Sequence, residues 1–244
     1  MNDLFNLKGK TAIVTGGRIG IGRAIVDNFI EQGVKVIVVG KTFQNDLPID
    51  IDFDYIQCDL SDKDDRKKLK ETILNSYDDI DILINNAGNQ EKNSFLEYTI
   101  DQWNNQIELL LTSVFDISQH IALMMAQNNI PGRIINIGSI SSFQGARNIV
   151  GYITAKHGLI GLTKSMAIEL AEKNINVNCI APGCIETDLL NKYPFDKKLM
   201  CERIPQKEIG TPDDIIGTVL YLCSSASNYV TGVTIPVDGG WLAK

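Results

Sequence analysis

The sequence predicts one α/β domain, a doubly wound parallel sheet with helices on both faces. Three observations predict it. Short apolar runs alternate with helix-length amphipathic stretches from Lys10 almost to the end. A glycine cluster, Gly16-Gly17-Arg18-Ile19-Gly20-Ile21-Gly22, separates the first run from the first helical pattern. The length of 244 residues, 44% of them hydrophobic, suits one sizeable core better than two domains.

Lys10–Thr15 reads as a buried strand, and the helical pattern after the glycines places Ile21, Ala24, Ile25 and Phe29 on one face. Gly33 closes that helix, and Val34–Val39 reads as the second strand. Only Lys41 to Phe53, with Pro48, remain before the third strand at Asp54–Gln57, so an abbreviated loop is expected there. Further strands are expected at Asp81–Ile84, Arg133–Gly138, Asn176–Ile180 and Val233–Val237. Helices are expected near Lys63–Tyr77, Thr99–Ala126, Tyr152–Glu172 and Pro212–Ser224. In such a sheet, ligands bind beyond the carboxyl ends of the strands.

The glycine cluster has a physical use in this context. Glycines let the chain turn sharply and let a pyrophosphate approach the N-terminus of the following helix, where free N–H groups and the helix dipole favour anions. A second constellation is catalytic in type. Tyr152 and Lys156 stand four residues apart on one helix, hence on one face, and Ser139 precedes the tyrosine by thirteen residues. An ammonium near a phenol favours the phenolate, so the lysine is expected to lower the tyrosine's pKa from about 10. Ser139 is positioned to hydrogen-bond an oxygen that gains or loses a proton.

The glycine spacing is Thr15-Gly16-x3-Gly20-x-Gly22 rather than the commoner G-x-G-x-x-G. With Asn85-Asn86-Ala87-Gly88, Ser139-x12-Tyr152-x3-Lys156 and Pro182-Gly183-x3-Thr187, it makes the chain resemble the short-chain dehydrogenase/reductases from near its start to its end. The resemblance implies a Rossmann-type fold, with the dinucleotide-binding part at about 8–138 and the catalytic and substrate-binding part at about 139–244. It also implies hydride transfer between nicotinamide and a carbonyl or secondary alcohol, with Ser139, Tyr152 and Lys156 catalytic. Gly16, Arg18, Ile19, Gly20, Ile21 and Gly22 would hold the pyrophosphate side, and Asp59 and Leu60 the adenine. Asn86, Ala87 and Gly88 would line the adenine-ribose side, and Pro182, Gly183, Ile185 and Thr187 the carboxamide. Tyr152 and Lys156 would also contact the nicotinamide ribose.

Two positions depart from the family. The strand end where NAD-selecting members carry an acid is Gly40, followed by Lys41. Nothing there repels a 2′-phosphate, and Lys41 or Arg18 could pair with one, so NADP is favoured over NAD. The family's Asn on the long helix before the fifth strand is Leu110 here, which removes a side-chain amide but keeps a main-chain carbonyl. That change also motivates a rival reading, a cofactor-binding pseudoenzyme or regulator.

For substrate, the second half resembles the deoxygluconate and gluconate dehydrogenases. Ile134–Ser139, Ser142–Gly145, Asn174–Asn178, Arg203-Ile204-Pro205 and the tail Val237–Lys244 carry that likeness. A sugar acid is the expected substrate, with Ser139, Gln144, Arg147 and Tyr152 as candidate contacts, and Arg147 could meet its carboxylate. A 3-oxoacyl-carrier-protein reductase is the alternative.

A net charge of −7 argues against a general nucleic-acid binder. The five cysteines form no C-x-x-C pair, and two isolated histidines, His120 and His157, suggest no metal site. No long uninterrupted apolar run or signal-peptide core is apparent, so a cytoplasmic protein with no membrane partner is expected. The two long helices carry apolar residues around much of their circumference. Leu109–Leu111, Val114, Phe115, Ile117, Ile121 and Leu123–Met125 crowd one; Ile153, Leu159, Ile160, Leu162, Met166 and Ile168 crowd the other. A homotetramer formed through these helices is expected.

Overall fold

A computed structural model of the chain describes residues 4–41, 53–187 and 196–244. Seven parallel strands form one sheet in the order β3-β2-β1-β4-β5-β6-β7. They are β1 Thr11–Thr15, β2 Lys35–Gly40, β3 Phe53–Gln57, β4 Ile82–Asn85, β5 Arg133–Ile137, β6 Asn176–Pro182 and β7 Thr234–Val237. Every predicted strand is present, with ends moved by up to two residues. The expected loop after Lys41 falls on 42–52, outside the described residues.

Side chains alternate across each strand, so each face of the sheet builds its own core. On one face Val14, Val36 and Ile84 meet Ile25 and Phe29 of α1 (Gly20–Glu31) and Ile215 and Val219 of a later helix, α7 (Asp213–Cys223). On the other, Ile13, Ile37 and Leu83 meet Leu69 of α2 (Lys63–Ser76) and Ile117 and Ile121 of α4 (Ser113–Gln127). The catalytic-type helix α5 (Val150–Leu170) covers the same face beside α4, with Ala167 in that core. A short helix the sequence reading did not anticipate, α6, spans Lys197–Arg203 and is capped by Asp196, which accepts from the Leu199 N–H.

The expected helix over Thr99–Ala126 is present but not uniform. α3 (Ile100–Ile107) starts at a capping box of Thr99 and Gln102, then passes through a π-turn, Glu108–Thr112, into α4. In an unbroken α-helix Glu108 and Asp116, eight residues apart, would lie about 80° apart around the axis. A π-turn absorbs about one extra residue and brings them back towards one line. One buried guanidinium, Arg66 of α2, then reaches both: Nε donates to Asp116, Nη2 to Glu108 and Nη1 to the Leu60 carbonyl. Lys70 closes the group onto Asp116. The run from 100 to 127 has the length and apolarity to cross a membrane, but half of its most apolar stretch is buried inside the chain.

Much of the apolar surface expected to form an interface serves the monomer core instead. Leu110, Val114, Ile117, Ile121, Met124, Met125 and Leu159 are buried, because these helices pack on the sheet and on each other. Phe115, Leu123 and Ile168 remain exposed.

Candidate active site

The strand order reverses between β1 and β4, and the chain places its glycine turn after one and Asn86 after the other. Thr15 ties the two together. Its Oγ1 accepts from the Asn86 and Ala87 N–H groups, both at 3.0 Å, while Asn86 Nδ2 donates to the carbonyls of Thr15 and Gly16. The turn is tight enough to demand glycine. Gly16 and Gly20 have φ of +65° and +55°, and a Cβ on Gly22 would lie 2.2 Å from the Gly16 oxygen. A Cβ on Gly20 would stand 3.1 Å from Thr187 Cγ2, so the turn faces the segment after β6 across the cleft. Helix α1 begins at Gly20 with no side-chain cap and no acid in its first turn. Its N-terminal N–H groups are therefore open to a phosphate. Ile19 is exposed and Ile21 half-buried beside this helix start. A dinucleotide fits this cradle.

At the far end of the cleft, Lys41 does not stand alone. Its ammonium pairs with Asp59 at 2.6 Å, joining two residues assigned separate cofactor roles from the sequence. Burial pushes the Asp59 carboxyl up, but hydrogen bonds from Lys41 and Ser61 outweigh it and hold the group below the usual range. The adjoining Leu60 is buried, its carbonyl taken by Arg66. At Gly40 a Cβ would come within 2.8 Å of the Tyr55 hydroxyl and 3.4 Å of Arg18 Cδ. A side chain at that strand end would have to displace the Tyr55 hydroxyl. Tyr55 was missed in the sequence because its relevance comes from β2–β3 register, Val38 opposite Tyr55, and not from any motif.

The catalytic candidates converge. Ser139 lies two residues past β5 and caps a 3₁₀ turn, where its Oγ accepts from the Ser141 N–H at 3.0 Å. That leaves its hydroxyl hydrogen for Tyr152, to which it is hydrogen-bonded. Burial pushes the Tyr152 phenol above its ordinary pKa, and the serine draws it part of the way back. Lys156 is buried, and loss of solvent lowers its pKa from 10.5 to about 8. Its Nζ donates to the Ile137 carbonyl at 2.6 Å and lies 5.7 Å from the centre of the tyrosine ring. The expected lowering of the tyrosine pKa by the lysine is therefore not expressed in this arrangement, where desolvation dominates and the ammonium faces a carbonyl.

The π-turn sits between these two ends. A Cβ on Gly88 would lie 2.8 Å from Leu110 Cδ2, and one on Gly158, two residues past Lys156, would lie 2.9 Å from Leu111 Cδ2. Leu110 thus fills space over the Asn86–Gly88 segment, while its neighbour keys into the catalytic helix. Pro182 ends β6 and Ile185 is buried in a one-residue bridge to Gly210. A Cβ on Gly183 would come 2.6 Å from Asp238 Cα, so this segment lies against the start of the tail.

The four substrate candidates do not share one place. Gln144 lines a cavity of about 450 Å³ with Phe143, Pro236, Trp241, Leu242 and Lys244. Arg147 is exposed and lines another, of about 400 Å³, with Asn93, Phe95, Val150 and Ile153 among its walls. Neither histidine joins the site: His157 Nδ1 bonds the Ile153 carbonyl, and His120 lies beside the Arg66 and Asp116 group, its pKa lowered by burial. Among the described residues no His, Cys, Asp and Glu cluster could hold a metal, and all five cysteines are free.

A switch-point glycine turn with an open helix start, sharing one edge of the sheet with a Ser–Tyr–Lys group, points to a nicotinamide-dinucleotide oxidoreductase. A family model described as enoyl-(acyl carrier protein) reductase matches residues 17–242, and the chain belongs to the short-chain dehydrogenase/reductase family. It is 36% identical to a 2-dehydro-3-deoxy-D-gluconate 5-dehydrogenase of Dickeya dadantii over 98% of both chains. It is 37% identical to a 3-oxoacyl-[acyl-carrier-protein] reductase of Aquifex aeolicus, over 96% of this chain and 98% of the relative. Among solved structures, a putative NAD(P)-dependent gluconate 5-dehydrogenase from Beutenbergia cavernae, with bound NADP, superposes with a TM-score of 0.92. The two share 32% identity over 99% of this chain and all of the other. The protein is an NAD(P)-dependent oxidoreductase.

Proposed function

We propose that the protein interconverts a secondary alcohol and a ketone on a sugar acid of the deoxygluconate or gluconate type, with NADP preferred. The convergence of Ser139, Tyr152 and Lys156 past the end of β5, at the same strand-end edge of the parallel sheet as the glycine turn, carries the reaction class in this reading. NADP would lie with its pyrophosphate on the turn 16–22, its adenosine by Asp59 and Asn86–Gly88, and its carboxamide by Pro182–Thr187. It supplies the hydride acceptor or donor. Tyr152 exchanges the proton of the reacting oxygen, and Ser139, the hydrogen-bond partner of that phenol, positions the same oxygen. Lys156 can give up its hold on the Ile137 carbonyl to meet the nicotinamide ribose. With a pKa of about 8 it is poised to pass a proton near neutrality.

NADP preference is supported by the absence of an acid at Gly40 and by Arg18 beside it. The sugar-acid reading is supported by the first relatives and neighbours, several of them named for gluconate or deoxygluconate. A 3-oxoacyl-carrier-protein reductase is the second reading, favoured by a relative of equal identity. A panel of sugar acids, polyols and a 3-oxoacyl thioester, run with both dinucleotides, tests all of these. Turnover of the thioester alone would replace the first reading with the second. Cofactor binding without turnover of any substrate would favour a regulator.

The protein is further proposed to be a soluble, cytoplasmic homotetramer. Exposed Phe115 and Leu123 on α4 and Ile168 on α5 are the apolar surface that such pairing would cover. Light scattering should give about 108 kDa, four times the 27.0 kDa chain. A fully active 27.0 kDa species would overturn it.

A further inference from the structure

Two segments that carry the likeness to sugar-acid enzymes, Arg203-Ile204-Pro205 and the tail 237–244, are far apart in sequence but meet in the fold. The Gln206 N–H donates to the Gly239 carbonyl, and a Cβ on Gly240 would touch the Pro205 ring at 3.2 Å. Their contact centres on Trp241. The Arg203 guanidinium lies 4.9 Å from its ring centre and the Lys244 ammonium 4.8 Å from the same centre. Lys244 also donates to the Arg203 carbonyl.

Two cations held against one ring repel each other, and a ring quadrupole offsets only part of that cost. Several other cations with defined contacts in this acidic chain are held by carboxylates, as Lys41, Arg66 and Lys70 are. Arg203 and Lys244 have none among the described residues. The tail's own acid, Asp238, is taken by the N–H groups of Gly240 and Leu242. An anion bound between them would offset that repulsion.

The cavity beside Lys244 says where that anion would come from. Its wall includes Phe143 and Gln144, which leave the 3₁₀ turn started by Ser139. Its other side includes Pro236 of β7, in register with Ala181, one residue past the Ile137–Ile180 pair. Two strand spacings, about 10 Å, thus separate the Ser139 strand from that wall. Four carbon–carbon bonds in extended form cover about 5 Å and a hydrogen bond about 2.8 Å more, leaving the rest to the lysine.

Resting on the sugar-acid reading, we propose that Lys244, seated on Trp241, takes the substrate carboxylate, and that this cavity, not the one beside Arg147, is the specificity subsite. One of the lysine's three donors goes to Arg203, which leaves two for a carboxylate. Arg203 adds positive potential from the other side of the contact.

The test compares Lys244→Met, Lys244→Arg and Arg147→Met for kcat/KM on gluconate and on a neutral polyol, with gluconate binding measured by calorimetry. Lys244→Met should lower the gluconate-to-polyol ratio at least about tenfold and weaken gluconate binding alike, mainly through KM. Lys244→Arg should restore most of both, which a merely structural defect of the tail would not predict. If Lys244→Met keeps the parent ratio while Arg147→Met loses it, the subsite is wrong and the sugar-acid reading stands. A parent that neither oxidises sugar acids nor binds gluconate overturns both.

Discussion

The two ends of the cleft are built by different means. At the catalytic end, Tyr152 and Lys156 share a helix face, and Ser139 comes from the next strand end, so short local geometry does most of the placement. At the adenosine end, Arg18, Lys41 and the Tyr55–Asp59 segment come from three separate stretches, after β1, after β2 and along β3, and meet only through sheet register. Groups placed locally come together as their spacing implies, but acquire pKa values from burial. Groups placed by long-range register acquire partners that no motif announces, as Lys41 does in Asp59. Changes at the first end should therefore strike turnover, and changes at the second should strike affinity.

The largest expected effect breaks the catalytic end alone. Tyr152→Phe removes the proton donor with almost no change in volume, and turnover should fall at least about a hundredfold. NADPH binding, followed by fluorescence, should stay near the parent value; undiminished turnover would remove Tyr152 from the chemistry.

The buried lysine offers a stability readout at the same end. Lys156 binds its proton less readily in the folded chain, at about 8, than its ordinary 10.5. Between those values the unfolded chain holds more proton, so this group adds stability as pH rises through the window. Its cost, about 3 kcal/mol, stands in full below the folded value. Lys156→Met should lower turnover less than Tyr152→Phe does, and the stability of the variant relative to the parent should fall as pH rises from 7 towards 10.5. Parallel denaturation curves at every pH would contradict a buried, shifted lysine.

The adenosine end is tested by Lys41→Ala. Because Asp59 already holds this ammonium, the loss in NADP affinity should sit near tenfold, the low end for a charged hydrogen bond, with NAD nearly unaffected. Asp59→Asn sharpens the comparison: it frees Lys41 and should raise the NADP-to-NAD preference. Equal loss for both dinucleotides in Lys41→Ala would mean that the lysine reads something other than a 2′-phosphate.

The smallest effect belongs to the π-turn between the ends. Leu110→Asn restores a polar amide but gives up apolar contact with the Gly88 segment. A change of a few fold in turnover is expected, together with a loss of roughly 1–3 kcal/mol in stability measured by urea unfolding. A gain of more than a hundredfold would show that the missing amide, rather than the chain's own packing, limits the enzyme.

Much of this was legible before the fold. Strand positions followed from apolar runs such as Val34–Val39, and the glycine turn announced the switch point, because both are properties of adjacent residues. The π-turn was not legible: Glu-Leu-Leu-Leu-Thr reads as ordinary helix, and only Arg66, reaching both Glu108 and Asp116, accompanies the extra residue. Helix α6 was too short to give a periodic signal. The apolar excess on the long helices was visible, but which residues served the core was not. Leu110 and Met125 are buried while Phe115 and Leu123 are exposed.

The sequence alone determined the parallel α/β architecture, the dinucleotide cradle and the Ser139–Tyr152–Lys156 group. The strands, the glycine turn and the Tyr152–Lys156 pair rest on periodicity or spacing within a few residues, where backbone geometry leaves little choice, and Ser139 on a motif that spans thirteen. Tertiary structure decided that Lys41 answers to Asp59, that Tyr55 and Arg18 fill the place of an acid at Gly40, and that Arg203 and Lys244 meet on Trp241. Those pairings depend on how strands register and where the chain's distant segments come to rest. Burial then set the pKa values, because desolvation belongs to the folded environment and not to the residue.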